Sequence, residues 1–201
     1  MVRELLIATR NRNKQRELQK LLEPLGIRVL TVEDISFDRE IEEDGATFEE
    51  NALKKARETA RETGYHCLAD DSGLVVDALN GQPGILSARF AGEDADDQKN
   101  NEKLLALLHN VEEEKRKASF VCAISICSPA EELARITERC PGKIAWMPRG
   151  PGGFGYDPLF IPEGFDKTFA EIPAEIKNRI SHRGKALKKA IPVLQKIFAS
   201  D

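Results

Sequence analysis

Apolar and polar positions alternate in a way that predicts helices mixed with strands from the first residues onward. Leu5, Leu6 and Ile7 form an apolar run that reads as a strand over Glu4 to Ala8. A polar loop follows. From about Asn13 to Glu23, Leu18, Leu21 and Leu22 then recur at helical spacing. "IRVLTV" predicts a second short strand. "TFEENALKKARETARETG" predicts a helix, because Thr47 and Glu50 make a capping box and Gly64 closes it.

In "CLADDSGLVV" two apolar runs read as strands, with Asp70, Asp71 and Ser72 between them. "GQPG" predicts a turn, "DADDQKNNEKLLALLHN" a helix beginning near Asp94, and "ASFVCAISICS" a buried strand. "ELARITERCPGKIAWMP" predicts further strand pairing about a turn at Pro141 and Gly142. A glycine-rich loop, "RGPGGFGYDPLF", precedes a helix in "ISHRGKALKKAIPVLQKIF" that Ser181 caps and Pro192 is expected to kink or break. Helices mixed with both adjacent and separated strands predict an α/β fold with a mixed sheet.

A chain of 201 residues suits one domain or two closely joined lobes. With 34 acidic residues against 30 Lys and Arg, the net charge of -4 argues against a broad basic face for nucleic acid. Cys67, Cys122, Cys127 and Cys140 contain no Cys-x-x-Cys pair, which favours reduced, buried thiols over a disulfide framework or a zinc site. Met1 leads directly to charged Arg3 and Glu4, and no apolar run approaches the roughly 18 residues of a membrane span. The expectation is a soluble, unprocessed, cytoplasmic protein without a membrane partner.

Candidate chemistry lies in four places. Thr9, Asn11, Asn13 and Lys14 cluster between a strand and a helix start, where backbone N–H groups and a lysine suit a phosphate; a solvated loop capped by Asn13 is the plain alternative. His182 and Arg183 also place cations in the first turn of a helix, where the dipole disfavours them by about 0.3–1 kcal/mol. Both starts make sense if they face something negative. The acids Glu40, Glu42, Glu43 and Asp44, with Asp70 and Asp71, offer hard oxygen ligands for Mg2+ and a carboxylate to orient or deprotonate water. Taken alone, the first run reads as a solvated loop, and a turn accounts for one of the two aspartates. Finally, "GGFGYDP" brings backbone close to a ligand, and Phe154 and Tyr156 offer flat faces for a base, or else feed a core.

Taken in order, "TRNRNK", "EEDGATFEENALKKA", "ADDSGLVVDAL", "PGILSARF", "GGFGYDPLF" and "EIKNRISHRGKAL" closely resemble the inosine/xanthosine triphosphate pyrophosphatase family over nearly the whole chain. The resemblance implies an elongated, two-lobed α/β fold around a long mixed sheet with flanking helices, the active site lying in the groove between lobes, and residues 1–201 acting as one domain. It implies a Mg2+-dependent homodimer that hydrolyses ITP, dITP and XTP to the monophosphate and pyrophosphate, keeping deaminated purines out of DNA and RNA. It places the substrate on the loop Thr9, Arg10, Asn11, Arg12, Asn13 and Lys14, with Ser72 beside it. Metal falls on Glu42 and Asp71, with Asp71 also catalytic. Phe154, Gly155, Tyr156 and Asp157, completed by Lys177, His182 and Arg183, form the base pocket. Arg10 departs from the family, which has a small residue there, and so does Ile176, where a second acid is common.

Selectivity then turns on the purine 6-position. Donors from His182, Arg183 or backbone N–H groups suit the oxygen of inosine and xanthosine and would stay unpaired against adenine, a mismatch of about 1–3 kcal/mol. The 2-amino group of guanine is expected to be excluded near Gly152 to Asp157. The rival reading is a non-catalytic purine-nucleotide or RNA-binding module using "RNRNKQR".

Overall fold

In the computed structural model, which describes residues 3–92 and 96–199, six strands form one mixed sheet in the order β2-β1-β3-β4-β5-β6. They are β1 (Glu4–Ile7), β2 (Arg28–Thr31), β3 (His66–Val76), β4 (Lys117–Cys127), β5 (Glu132–Ile144) and β6 (Phe160–Pro162). Five α-helices accompany them: α1 (Arg12–Leu22), α2 (Phe48–Thr63), α3 (Asp97–Leu107), α4 (Ala174–Ile180) and α5 (His182–Ala199). β1 pairs in parallel with β2 and with β3, whereas β5 and β6 are antiparallel. The α/β class and the mixed sheet expected from the pattern are therefore present.

The described residues divide into two compact units. One contains those up to Asp71, Cys122–Glu138 and those from Arg183 onward; the other contains those of Ser72–Val121 and Arg139–His182. Each unit has a core of its own. In the first, strand alternation sends Leu5, Ile7, Leu68, Cys122, Ile124 and Ile126 towards Leu18 and Leu22 of α1 and Leu187 and Leu194 of α5. Leu6, Cys67 and Ala69 meet Ala56 and Ala60 of α2 in a separate cluster. Small alanines let that helix lie close to the strands. In the second unit, Leu74, Val76, Phe120, Phe160 and Phe169 pack with Leu104 and Leu108, and Phe120 and Phe160 meet edge-on at 4.7 Å.

Several local expectations are corrected. The two strands read on either side of Asp70 and Asp71 are one strand, β3, so the acids lie within a ladder rather than in a turn. Gly73 permits this continuity: a Cβ there would lie 2.4 Å from Ser87 Oγ, the atom that accepts the Leu74 N–H at 2.9 Å. Likewise, β5 runs straight through Pro141 and Gly142, because Gly142 pairs with Pro162 of β6 and the Pro141 carbonyl accepts the Glu163 N–H at 2.9 Å. No turn forms there. The cap of α1 is Asn11, not Asn13. The expected helix start near Asp94 lies outside the described residues, and α3 is seen from Asp97. α5 is helical through Pro192 rather than broken by it. The capping box of α2 is as expected in Thr47, whose Oγ1 accepts the Glu50 N–H at 3.1 Å, while Glu50 reaches back to the Ala46 N–H at 2.7 Å.

Candidate active site

Because neighbouring residues of a strand point to opposite faces, β3 presents its two aspartates to different surroundings. Asp70 faces the side of α1 and α5. Its Oδ2 lies 3.2 Å from Lys14 Nζ and accepts from Arg183 Nε and Nη2 at 3.3 and 3.2 Å. Arg183 also donates through Nη1 to Glu17 at 2.5 Å. Asp70 and Arg183 are buried. Burial alone would raise the Asp70 pKa, but the charges of Lys14, Arg183 and Lys55 reverse this and hold it well below the usual carboxylate range. The cations at both helix starts thus face a carboxylate of the protein itself, and Asp70 is their fixed counter-ion.

Asp71 faces α2. Its Oδ2 accepts from Asn51 Nδ2 at 3.1 Å, in a field set by Lys55, Lys14 and Glu43. Burial raises its pKa, Lys55 and Lys14 pull it down, Glu43 pushes it up again, and the net displacement is upward. Asp70 is thus a settled anion and Asp71 an unsettled one, the kind of paired contrast that separates support from chemistry.

Lys55 joins the two. Buried on α2, it donates to the Asp70 carbonyl at 2.8 Å and to Glu43 Oε1 at 2.9 Å. Burial works against its charge, yet Glu43, Asp71 and Asp70 raise its pKa. Glu43 is the acid of its run that is brought to this cluster. Glu42 is exposed and Asp44 pairs with Lys54 at 2.7 Å. Arg10 reinforces the same segment from the first loop: its Nη2 donates to the carbonyls of Phe37 at 3.0 Å and Arg39 at 3.4 Å. A glycine could make neither bond.

The loop before α1 is drawn in around Asn11. Asn11 Oδ1 accepts the N–H groups of Asn13 and Lys14 at 3.0 and 3.1 Å, and Thr9 Oγ1 accepts the Asn11 N–H at 3.2 Å. Gln15 locks the base of the loop by donating to the Thr9 carbonyl at 2.7 Å. Arg12 and Asn13 are exposed in the first turn. Of the six loop residues singled out from sequence, Lys14 reaches Asp70 directly; Thr9 and Asn11 shape the turn, and Arg10 braces the acidic segment.

The second unit brings together Phe154, Asp157 and Lys177. Asp157 Oδ2 accepts the Phe154 N–H at 2.9 Å and Lys177 Nζ at 2.6 Å, and Lys177 Nζ lies 4.8 Å from the Phe154 ring centre. Gly153 has φ of 75°, and a Cβ on it would fall 2.3 Å from Asp157 Oδ2, so the turn requires glycine. Tyr156 follows the core alternative: its ring is buried and its hydroxyl donates to the Ser87 carbonyl at 2.8 Å. Phe154 keeps partial exposure. His182 is buried and stacks on Phe120, with centroids 4.7 Å apart and planes 10° from parallel. Ser72 is half-buried on β3.

Lys55, Asn51 and Glu17 escaped the reading by motif, and Glu43 entered it only as one of a run of acids. The first two carried a signal. The buried positions of α2 are Phe48, Asn51, Ala52, Lys55, Ala56, Thr59 and Ala60, and a lysine and an asparagine on an otherwise apolar stripe need a buried partner. Glu43 and Glu17 look like any surface acid until the chain is folded. The four cysteines are buried as expected, and burial pushes the Cys122 thiol up to about 12 and Cys67 further still.

Comparison with known proteins adds a separate line of observation. Residues 5–193 match the sequence model of the Ham1 family. The chain is 50% identical over 195 residues to a dITP/XTP pyrophosphatase of Desulforamulus reducens, covering 97% of each protein. It is 48% identical over 195 residues to one of Bacillus subtilis, covering 97% of this chain and 98% of that protein. Its fold is similar to that of a HAM1 protein from Coxiella burnetii, with a TM-score of 0.86 and 39% identity over 98% of this chain and 99% of that one.

Proposed function

Since the chain belongs to the Ham1 family, we propose that it hydrolyses deaminated purine nucleoside triphosphates, ITP, dITP and XTP, to the monophosphate and pyrophosphate. It is an enzyme acting on a phosphoric anhydride, and the motifs that pointed to this family in the sequence pointed correctly. The observation that carries the chemical reading is the division of labour on β3: Asp70 is neutralised by Lys14 and Arg183, while burial and Glu43 hold the Asp71 carboxyl above its usual range beside Asn51 and Lys55.

On this reading the first unit handles the phosphates. Lys14, with the N–H groups of the loop from Thr9, takes the triphosphate; Asp71 orients water and accepts its proton as the water attacks the α-phosphorus, expelling pyrophosphate. Lys55 keeps Asp71 and the acidic segment in register through its bonds to the Asp70 carbonyl and Glu43. Positioning and charge carry most of such a reaction, which is why no covalent intermediate is invoked. The second unit takes the base against Phe154, with Lys177 and Asp157 fixing the turn that supports it. The two units together serve as one functional domain.

A divalent cation suits the first unit. An anion destabilised by burial and by a neighbouring glutamate would be relieved by one, and carboxylates at this position suit a Mg2+ held by one or two of them plus the substrate. Asp71 and the segment Glu42 to Glu43 would hold it, and its chemistry there is neutralisation of phosphate charge. Family resemblance also supports a homodimer working in the cytoplasm; no helix among the described residues is long and apolar enough to cross a membrane.

The test is a product assay with Mg2+ and equal concentrations of ITP, XTP, ATP and GTP. Pyrophosphate from ITP and XTP is expected at rates at least about tenfold above those for ATP and GTP. Orthophosphate as the product would favour a phosphatase, and binding without turnover would favour the non-catalytic module.

A further inference from the structure

The stretch "DQKNNEKLL" carries the pattern of a helix and nothing in it singles out a site. In the structure its first turns hold the loop that carries Phe154. Asp97 Oδ2 accepts the Gly155 N–H at 2.6 Å, and Asn101 Nδ2 donates to the Gly155 carbonyl at 2.9 Å. The two side chains are one helical turn apart on α3 and grip both ends of the same residue. Between them, Asn100 ties α3 to the segment before it, accepting the Ala91 N–H at 2.8 Å and donating to the Ala88 carbonyl at 3.0 Å. The helix is thus anchored on one side and clamps on the other.

Gly155 lies at φ of 60°, in the left-handed region, so its peptide direction is not set by a side chain of its own. It sits between Phe154, whose N–H is taken by Asp157, and Tyr156, whose hydroxyl is fixed by Ser87. Asn101 leaves its own Oδ1 buried and without a hydrogen-bond partner among the described residues in order to present its amide nitrogen to Gly155. A buried acceptor left unpaired is unfavourable for stability alone. It makes sense where the direction of one carbonyl matters.

We propose that Asp97 and Asn101 are positioning residues for base selectivity, holding the Gly155 peptide so that the Phe154 turn presents a fixed wall to the purine. The proposal rests on the reading of this loop as the base-recognition site. With the clamp in place, the fixed peptide cannot turn to offer an acceptor to the 2-amino donor of guanine, whereas the 2-oxygen of xanthine needs none; without it, the loop yields and discrimination falls. The two bonds reinforce each other, since the one from Gly155 to Asp97 is charge-assisted and the one from Asn101, a buried side chain, fixes the other end of the same residue.

The experiment compares kcat and KM for ITP and GTP in the full chain and in Asp97→Ala, Asn101→Ala and the near-isosteric Asp97→Asn, with thermal melts in parallel. The ITP to GTP ratio of kcat/KM is expected to fall at least about tenfold in each alanine variant. Most of the change should appear in KM, and Asp97→Asn, whose side-chain oxygen still accepts the Gly155 N–H, should recover most of the ratio. If Asp97→Ala does not fold, Asn101→Ala and Asp97→Ser carry the same comparison. A selective parent with equally selective, folded variants overturns the clamp, as does a loss confined to kcat and equal for both nucleotides. A parent that does not prefer ITP to GTP removes instead the base-site reading on which the clamp rests.

Discussion

Asp71→Asn is expected to lower kcat for ITP by about 10^2–10^4 while leaving nucleotide binding within about threefold of the parent. Asparagine keeps the shape of the side chain and one oxygen to accept from Asn51, so the local packing should survive. What it loses is the ability to take a proton and the charge that a cation would neutralise. Its thermal midpoint should not fall. In the parent, burial and Glu43 oppose the Asp71 anion more than Lys55 and Lys14 favour it, so a neutral isostere relieves a destabilised charge. Loss of turnover with unimpaired stability is the signature of a group kept for chemistry. Steady-state kinetics, ITP titration and a melting curve read all three. Near-parental turnover would assign proton acceptance elsewhere.

The opposite signature is expected one residue earlier. Asp70→Ala removes the shared counter-ion of Lys14 and Arg183, leaving two cations facing each other around a side chain that was completely buried. Breaking a buried ion pair by removing one partner typically costs about 3–5 kcal/mol. In a chain of this size, about 2–4 °C of melting temperature accompanies each kcal/mol, so a fall on the order of 10 °C is expected by calorimetry. Activity should fall as well, because Lys14 loses the anchor that aims it. A variant melting within about 2 °C of the parent would mean that the triad contributes little to the fold.

These opposed expectations show what the sequence disclosed about "ADDSG" and what it did not. That the paired acids mattered was legible, since one capping aspartate is ordinary and a second beside it needs another reason. That they sit inside one strand was not: a short polar interruption between apolar runs has the local character of a turn, and only Gly73, relieving the close approach of Ser87, makes the strand continuous. Once β3 is known to be continuous, alternation separates the roles. The apolar periodicity that predicted α1 and α2 was likewise sufficient for the helices, while the segment now seen as α4 is only seven residues long and carried no periodic signal.

The details that local pattern left open have a common physical origin. Side chains that look functional by type are engaged by partners far along the chain, as Tyr156 is with Ser87 and Arg183 with Asp70. Arg10 departs from a small residue yet acquires a role, because its guanidinium reaches carbonyls 27 and 29 residues away and braces the acidic segment. Glu43, rather than the exposed Glu42, turns towards Lys55, a choice set by the path of an irregular segment that no periodicity describes.

Turnover of ITP with Mg2+ in 18O-labelled water tests the central claim most directly. If water oriented by Asp71 attacks the α-phosphorus, the label appears in the nucleoside monophosphate and the pyrophosphate released is unlabelled. Label in the pyrophosphate, or in orthophosphate, would place the attack on another phosphorus and contradict the account.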